Sequence, residues 1–225
     1  MRFLADIPGG YATLHADGVL FRFATFSANP KRRDSPRPVG PAATLRMRLV
    51  GANPGVVLSA TDRLPGVFHD YTGDNQAAWR ANLPTYATLT YAQIYPHIDL
   101  HYTGDAGNLK STYFVQPQGE PTQIRWRYTG AQNVALAASG DLVLTLPPVA
   151  GQPSRLVTET APIAWQNVGA GRVDVGVRYT LVPNGVIGFA LDAYDPTLPL
   201  VIDPTITTTP IGAMTAAYGI ARDAA

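Results

Sequence analysis

Apolar and polar residues alternate along most of this chain, with the two-residue period that is typical of β-strands. The alternation is densest between residues 83 and 116, where runs at 86–91 and 98–102 are followed by a third strand-like run at 109–116. Further strand-like runs occupy residues 2–5, 11–15, 19–26, 44–50, 56–60, 66–71, 124–128, 134–138, 142–146, 156–160, 163–168, 172–182, 186–193 and 200–202. This pattern predicts an all-β, antiparallel protein.

Turn residues separate most of these runs. Asp17-Gly18, Ser139-Gly140 and Asn184-Gly185 each lie between two apolar runs, and such pairs favour tight hairpins. Pro65-Gly66 predicts a turn between the runs at 56–60 and 66–71. Pro96 has no amide hydrogen for a sheet ladder, so it predicts an edge, a bulge or a corner.

One short helix is predicted, over residues 75–82. Asp74 or Asn75 serves as its N-cap, Trp79 anchors it, and Asn82 and Pro84 end it. The predicted fold is therefore an antiparallel β-sandwich with one short helix. The alternative is two packed sandwich subdomains with a junction near residues 117–121.

Length and composition exclude some functions. The chain has 225 residues and no cysteine, which rules out thiol catalysis, cysteine-ligated zinc and iron–sulfur clusters. The net charge is +1 and 15% of residues are charged, so no global bias favours nucleic acid or an anionic membrane. No apolar run is long enough for a transmembrane helix, and the first ten residues lack the apolar core of a signal peptide. We expect neither a nucleic-acid partner nor a membrane span.

The residues His97, Asp99 and His101 are the most suggestive chemical cluster. Together with Asp105 they are ligand types that suit zinc or manganese. The alternative is the polar outer face of a half-buried strand, which the sequence favours because a metal site also needs convergent geometry and supporting contacts. Asp70 and Asp74 lack the spacing of a calcium-binding loop.

Catalytic motifs are weak. The chain has no G-x-S-x-G sequence, and Gly169-Ala170-Gly171 is typical of a turn. Acid pairs for a glycosidase can be drawn from Asp99, Asp105, Glu120 and Glu159, as in almost any β-protein. A hydrolase is thus the least favoured function, and we expect no catalytic residue, metal ligand or cofactor.

Two binding chemistries remain open. Trp79, Trp126, Trp165 and the 11 tyrosines form either core contacts or a stacking platform for sugars, which exposed rings of Tyr71, Trp79 and Tyr95 would favour. Basic strand faces at Arg46/Arg48 and Arg125/Arg127, and the loop cluster Lys31-Arg32-Arg33, are either solvated surface or sites for an anionic polymer.

A family resemblance follows from motifs in a fixed order. The chain resembles a bacterial domain of unknown function over residues 2–204. The motifs that carry the resemblance are Tyr71-x-Gly73, Trp79, Pro84-x-Tyr86, Tyr95-Pro96-x-Ile98-Asp99-Leu100-x-Tyr102 and Leu200-Val201-Ile202-Asp203-Pro204. His97 stands where the family usually has glycine. Residues 217–225 are similar to the opening of an SBBP repeat, a unit thought to form β-propeller blades.

The resemblance implies a function as well as an architecture. Such domains commonly precede SBBP repeats in large bacterial surface or secreted proteins. The expected organisation is one domain at 1–204, followed at 205–225 by a linker and the start of a propeller repeat. The expected role is a non-catalytic structural or interaction module outside the cell, whose partners are the downstream repeats and also a surface glycan or protein. A carbohydrate-binding module is the alternative.

Overall fold

The structure is a computed structural model that describes residues 2–23, 43–70, 76–105, 108–149, 153–208 and 220–223. In this part of the chain it is all-β, with single 3₁₀ turns at Gln76–Ala78 and Pro121–Gln123. The strands are β1 (Arg2–Ile7), β2 (Gly10–His15), β3 (Gly18–Phe23), β4 (Ala43–Leu49), β5 (Leu58–Asp70), β6 (Arg80–Tyr95), β7 (Ile98–Asp105), β8 (Asn108–Val115), β9 (Arg125–Thr129), β10 (Asn133–Leu136), β11 (Leu142–Leu146), β12 (Arg155–Glu159), β13 (Ile163–Val168), β14 (Gly171–Val175), β15 (Val177–Leu181), β16 (Ile187–Leu191), β17 (Leu200–Asp203), β18 (Thr205–Thr208) and β19 (Ile220–Asp223).

The strands form two antiparallel layers that share the long strand β6. Sheet A has the order β15-β16-β9-β4-β3-β2-β1-β19-β6. Sheet B runs β5-β6-β7-β8-β17-β13-β14, and β18, β12, β11 and β10 branch from β8. The prediction of an all-β antiparallel sandwich is confirmed. Strands from both sides of residues 117–121 pair with one another, as β4 with β9 and β8 with β17.

The core lies between the inner faces of the two sheets. In β8, Leu109, Ser111, Tyr113 and Val115 are buried and alternate with half-buried residues. The Tyr113 ring meets the Phe189 ring of sheet A edge-on, with ring centroids 5.8 Å apart. Because each buried large apolar side chain stabilises by roughly 1.5–3 kcal/mol, this interface holds the layers together.

The turn predicted at Pro65-Gly66 is wrong, because both residues lie inside β5. The pairing of β5 with β6 shifts register between Arg63 and Val67, so the irregularity is absorbed without breaking the strand. Among the described strands, β5 pairs only with β6. A proline is tolerated on such an edge strand because its missing amide hydrogen would point away from the ladder.

The helix predicted over residues 75–82 is also wrong. Only Gln76–Ala78 form a 3₁₀ turn, and β6 begins at Arg80. An eight-residue helix has little stability of its own. Leu83 is instead buried and paired with Phe68 of β5, so tertiary pairing outweighs the local helical preference.

Residues 172–182, predicted as one strand, are divided at Gly176 between the two layers. β14 pairs with β13 in sheet B, and β15 pairs with β16 in sheet A. The carboxylate of Asp192 occupies the space that a Cβ at position 176 would need, so a larger residue at the crossing would displace that exposed side chain.

Strands β18 and β19 were not predicted. β18 pairs with β8 and β12, and β19 lies between β1 and β6. The register places Ala221 opposite Leu4 and Ile220 opposite Tyr86, and Ile220 is buried. The last described segment is therefore part of the same sheet as the first strand.

Candidate interaction surfaces

Tyr95, the first residue of the Tyr-Pro-x-Ile-Asp-Leu motif, is buried between the two sheets. Its hydroxyl lies 3.2 Å from the carbonyl oxygen of Val50 and 3.0 Å from that of Arg125. Burial raises the pKa of Tyr95 to about 12, although the contacts with Arg125 oppose that effect. The hydroxyl therefore stays protonated and donates to main-chain oxygens of sheet A.

His97 and Asp99 shape the turn between β6 and β7. His97 follows Pro96 with a φ of 62°, and its amide donates to Oε1 of Gln93 at 3.2 Å. Oδ1 of Asp99 accepts a hydrogen bond of 2.7 Å from the Gln93 amide. The Asp99 carboxylate therefore has a structural role, because it accepts the hydrogen bond of a backbone amide in an irregular stretch of β6.

His101 lies two residues beyond Asp99 and packs against an aromatic ring. Its imidazole contacts Phe114 with ring centroids 4.5 Å apart. Burial lowers the pKa of His101, and the charge of Asp99 opposes that shift. The side chain of Asp105 lies outside the described residues. In the described segments no three His, Asp or Glu side chains come together as metal ligands.

Glu159 is a fully buried carboxyl group in the core. It points inward from β12, opposite Leu142 and Ile206, and only 2% of it is exposed. Burial raises the pKa of Glu159 to about 7, and the nearby Tyr128 hydroxyl and Trp126 indole partly offset the effect. The distances and angles nevertheless do not amount to hydrogen bonds. Oε2 of Glu159, the Tyr128 hydroxyl and the Trp126 indole nitrogen are all buried without a hydrogen-bond partner. A group enclosed in this way is poorly placed to meet a substrate.

The same strand places Arg155 at the other end of the core. Its guanidinium lies 5.2 Å from the centre of the Phe23 ring, and its Nη1 is buried without a hydrogen-bond partner. Burial lowers the pKa of Arg155. The guanidinium also fills the space beside Gly9, which has a φ of 74°. Arg155 therefore closes one end of the sandwich by packing.

The outer face of sheet B carries a row of rings, which we call the aromatic face: Trp165, Phe114 and His101, with Val201 between the first two. Trp165 pairs with Val201, and Val201 with Phe114. The Arg172 guanidinium stacks on Trp165 at 4.1 Å. Beside this row, the nearly buried Asp203 carboxylate binds Lys110 Nζ at 2.8 Å and accepts a hydrogen bond from Thr112.

The platform predicted from Tyr71, Trp79 and Tyr95 is not formed, because Tyr95 belongs to the core. Trp79 is half-buried, and Tyr71 lies outside the described residues. Trp126 is a core residue as well. Trp165 shares the outer face of sheet B with other partly exposed rings.

Six of the basic side chains that the structure describes lie on the outer face of sheet A, which we call the arginine face: Arg22, Arg46, Arg48, Arg125, Arg127 and Arg178. Arg48 lies directly opposite Arg127, so the two basic strand faces recognised in the sequence form one surface. Asp17 binds Arg46 at 2.8 Å and Arg48 at 3.5 Å. The cluster at Lys31, Arg32 and Arg33 lies outside the described residues.

Neither helical turn in the described segments is long and apolar enough to cross a membrane. The fold and its surfaces define an all-β sandwich domain with one aromatic and one arginine-rich outer face. The chain belongs to a family described as a domain of unknown function (DUF7948), whose model matches residues 1–205. No curated protein and no solved structure matches the chain. The resemblance to a domain of unknown function is thus confirmed.

Sequence alternation showed which arginines share a strand face, but it gave no sign that β4 and β9 are neighbours. Likewise, Phe114 and Trp165 are far apart in sequence and meet through β17 alone. Glu159 was considered only as a member of an acid pair. Leu156, the larger apolar residue of this strand, lies on the face opposite Glu159 and is exposed, so the alternation gives no sign that Glu159 points inward.

Proposed function

We propose that this chain is a non-catalytic structural or interaction module of a bacterial surface or secreted protein, placed ahead of propeller repeats. The observation that carries the proposal is the position of β19. This strand lies in the stretch that resembles the opening of a repeat, and it is hydrogen-bonded between β1 and β6. A strand shared in this way holds the following repeat against the module.

The pairing suits a capping role. β19 matches four residues of β1 and two of β6, and Ile220 fills the core at 1% exposure. Repeat arrays need a cap because a terminal repeat otherwise exposes the face that its neighbours bury. A sandwich that takes up the first strand of the array meets that need.

The absence of catalysis is part of the proposal, and the use made of the acids and histidines supports it. Asp99 satisfies a backbone amide, His101 packs on Phe114, and Glu159 is enclosed in the core. The motif residues Tyr95, Ile98, Leu100 and Tyr102 are likewise buried. These side chains hold the sandwich together, which favours a structural role over a chemical one.

The proposal is tested with the gene that encodes the chain. Its downstream repeats are produced with and without residues 1–208, and their solubility and thermal unfolding are compared. We expect the repeats to be soluble and cooperatively folded only with the module. Repeats that fold equally well alone, or flanking DNA that encodes no repeats, would refute the capping role.

A second candidate function, carbohydrate binding, is favoured by the aromatic face. Trp165 and Phe114 lie two strands apart on one side of the sheet, and rings arranged in this way stack against sugar faces. A soluble β-glucan is expected to change the fluorescence of the native chain. Trp165→Ala should abolish the change, and Tyr11→Ala, on the other sheet, should not. A glucan without effect on the native chain would exclude this probe as a ligand.

A further inference from the structure

The arginine face spans five adjacent strands of sheet A, four of which carry its arginines. Arg22 lies on β3, Arg46 and Arg48 on β4, Arg125 and Arg127 on β9, and Arg178 on β15. Residues two apart on a strand are roughly 7 Å apart and neighbouring strands roughly 4.8 Å apart. Arg48 is opposite Arg127 and Arg46 is opposite Thr129, so Arg46 and Arg125 lie on opposite sides of the Arg48–Arg127 pair. The four central guanidinium groups therefore start from an area of roughly 14 by 5 Å.

Positive charge on this face is only partly neutralised. Asp17 pairs with Arg46 and Arg48, and Asp192 lies 3.3 Å from Arg178. Within the described part of the chain, Arg22, Arg125 and Arg127 form no ion pair. Arg48 directly opposite Arg127 is a like-charge pair, which destabilises an antiparallel sheet. A bound anion would remove that unfavourable interaction.

Asp17 indicates the chemistry that the face accepts. Its carboxylate lies between two guanidinium groups. Burial alone would raise the pKa of Asp17, but the hydrogen bond from Arg46 and the charges of Arg46 and Arg48 outweigh burial and lower it. Two arginines of the face thus already hold one carboxylate, while Arg125 and Arg127 repeat the same i, i+2 spacing on the next strand without one.

A cavity of about 320 Å³ adjoins the arginine face at Arg125. Gly188 lies between Arg125 and Thr180 in the cross-strand row, and a Cβ at this position would lie only 3.3 Å from the Ile124 carbonyl oxygen and 3.4 Å from Thr180 Oγ1. Thr122, Thr180 and Asn184 also line the cavity and offer polar groups beside the guanidinium. Such groups suit the hydroxyls of a sugar whose carboxylate binds an arginine.

We propose that the arginine face binds a carboxylated polysaccharide, with a sugar unit in the cavity beside Arg125. The inference rests on the interaction role proposed above and names the partner class. Arginine binds carboxylates with two parallel hydrogen bonds, which gives geometric selectivity that lysine lacks. Single-stranded nucleic acid fits this face less well, because such sites interleave stacking aromatic rings with basic groups. The described cross-strand rows of this face contain two rings, Tyr11 next to Arg22 and His15 in the row of Arg48 and Arg127, and both lie on β2 at one side of the arginines.

The test uses the native chain and polygalacturonate at low and high salt. The double variant Arg48→Ser/Arg127→Ser removes the opposed pair, and Arg63→Ser/Arg80→Ser, on β5 and β6, is the control with the same change of net charge. We expect measurable binding that weakens with salt and is about tenfold weaker in the face variant. The control should bind like the native chain.

Equal loss in both variants would show that binding depends on net charge alone, and no binding at low salt would overturn the proposal. Duplex DNA bound as tightly as polygalacturonate at the same salt would identify the face as a general polyanion surface and would also contradict it. None of these results affects the capping role, because the repeats are measured separately. Unchanged far-UV circular dichroism of both variants confirms that they are folded.

Discussion

Pro96 and His97 show how single residues set the geometry of the β6–β7 hairpin. Proline supplies the negative φ of the first central position of a type II turn, and the second position needs a positive φ. His97 adopts a φ of 62° with an exposed side chain, so it gains no packing in return for the strained conformation. A glycine at this position would carry no such strain.

His97→Gly is therefore expected to raise the free energy of unfolding by about 1 kcal/mol. Urea unfolding of the variant and the native chain measures the difference. Gln116→Gly, at an exposed position whose φ is not positive, is the matched control and should lower stability. A destabilised His97→Gly chain would mean that the imidazole makes an important contact.

Glu159 makes stability depend on pH. Its pKa is about 7 in the folded chain and 4.5 in a solvated one, so the folded state holds the proton more tightly. Below pH 4.5 the carboxyl is protonated in both the folded and the unfolded chain, so its ionisation does not affect stability. Between pH 4.5 and 7 the unfolded chain loses the proton while the folded chain keeps it, and the free energy of unfolding falls. The free energy of unfolding is thus expected to fall by roughly 3 kcal/mol as the pH rises from 4.5 to above 7.

Glu159→Gln removes the ionisation while keeping the size of the side chain. We expect the variant to match the native chain at pH 4 and to exceed it by roughly 3 kcal/mol at pH 8, as measured by urea unfolding. Glu120→Gln, at an exposed site, should change neither value. Equal stability of native and Glu159→Gln chains at pH 8 would show that water or a partner solvates the carboxylate.

At the scale of elements, strands with clean alternation were predictable because the burial of one face dictates their sequence. β4, β8 and β11 lie within a residue or two of their predicted positions. The predicted elements were wrong where pairing between strands distant in sequence determined the secondary structure. Residues 80–83 join β6 because β5 is beside them, and Gly176 divides a continuous apolar run because β14 and β15 pair with different sheets.

β19 was missed because four residues carry almost no periodic signal. Its removal tests its importance. A chain that ends at residue 219 loses the burial of Ile220 and the ladders to β1 and β6, so its free energy of unfolding should fall by about 3 kcal/mol. A chain that ends at residue 223 should match the native one in urea unfolding. Equal stability of all three would mean that β19 contributes nothing to the sandwich.

At the scale of the whole molecule, the sandwich brings together side chains whose proximity no local pattern reveals. The fold class followed from periodicity, but the arginine face depends on β4 lying beside β9, and the aromatic face depends on β17 lying between β8 and β13. The two faces point away from each other, so one domain presents two chemically different surfaces. Such an arrangement suits a module that links other components.

The position of β19 is the central claim, since the capping role depends on it. The chain has no cysteine, so an engineered disulfide gives an unambiguous answer. Leu4 and Ala221 are directly opposite in the antiparallel ladder, where Cα atoms are roughly 4.5–5.5 Å apart and a disulfide fits. Asp223 pairs with Arg2, two positions away, so Leu4→Cys/Asp223→Cys is the matched control out of register.

Under mild oxidation of the folded protein, Leu4→Cys/Ala221→Cys is predicted to form an intramolecular disulfide quickly and nearly completely, as measured by gel mobility and mass spectrometry. The control pair is predicted to stay mostly reduced. Equal cross-linking of both pairs, or no cross-linking of Leu4→Cys/Ala221→Cys, would contradict the pairing of β19 with β1 and the capping role that rests on it.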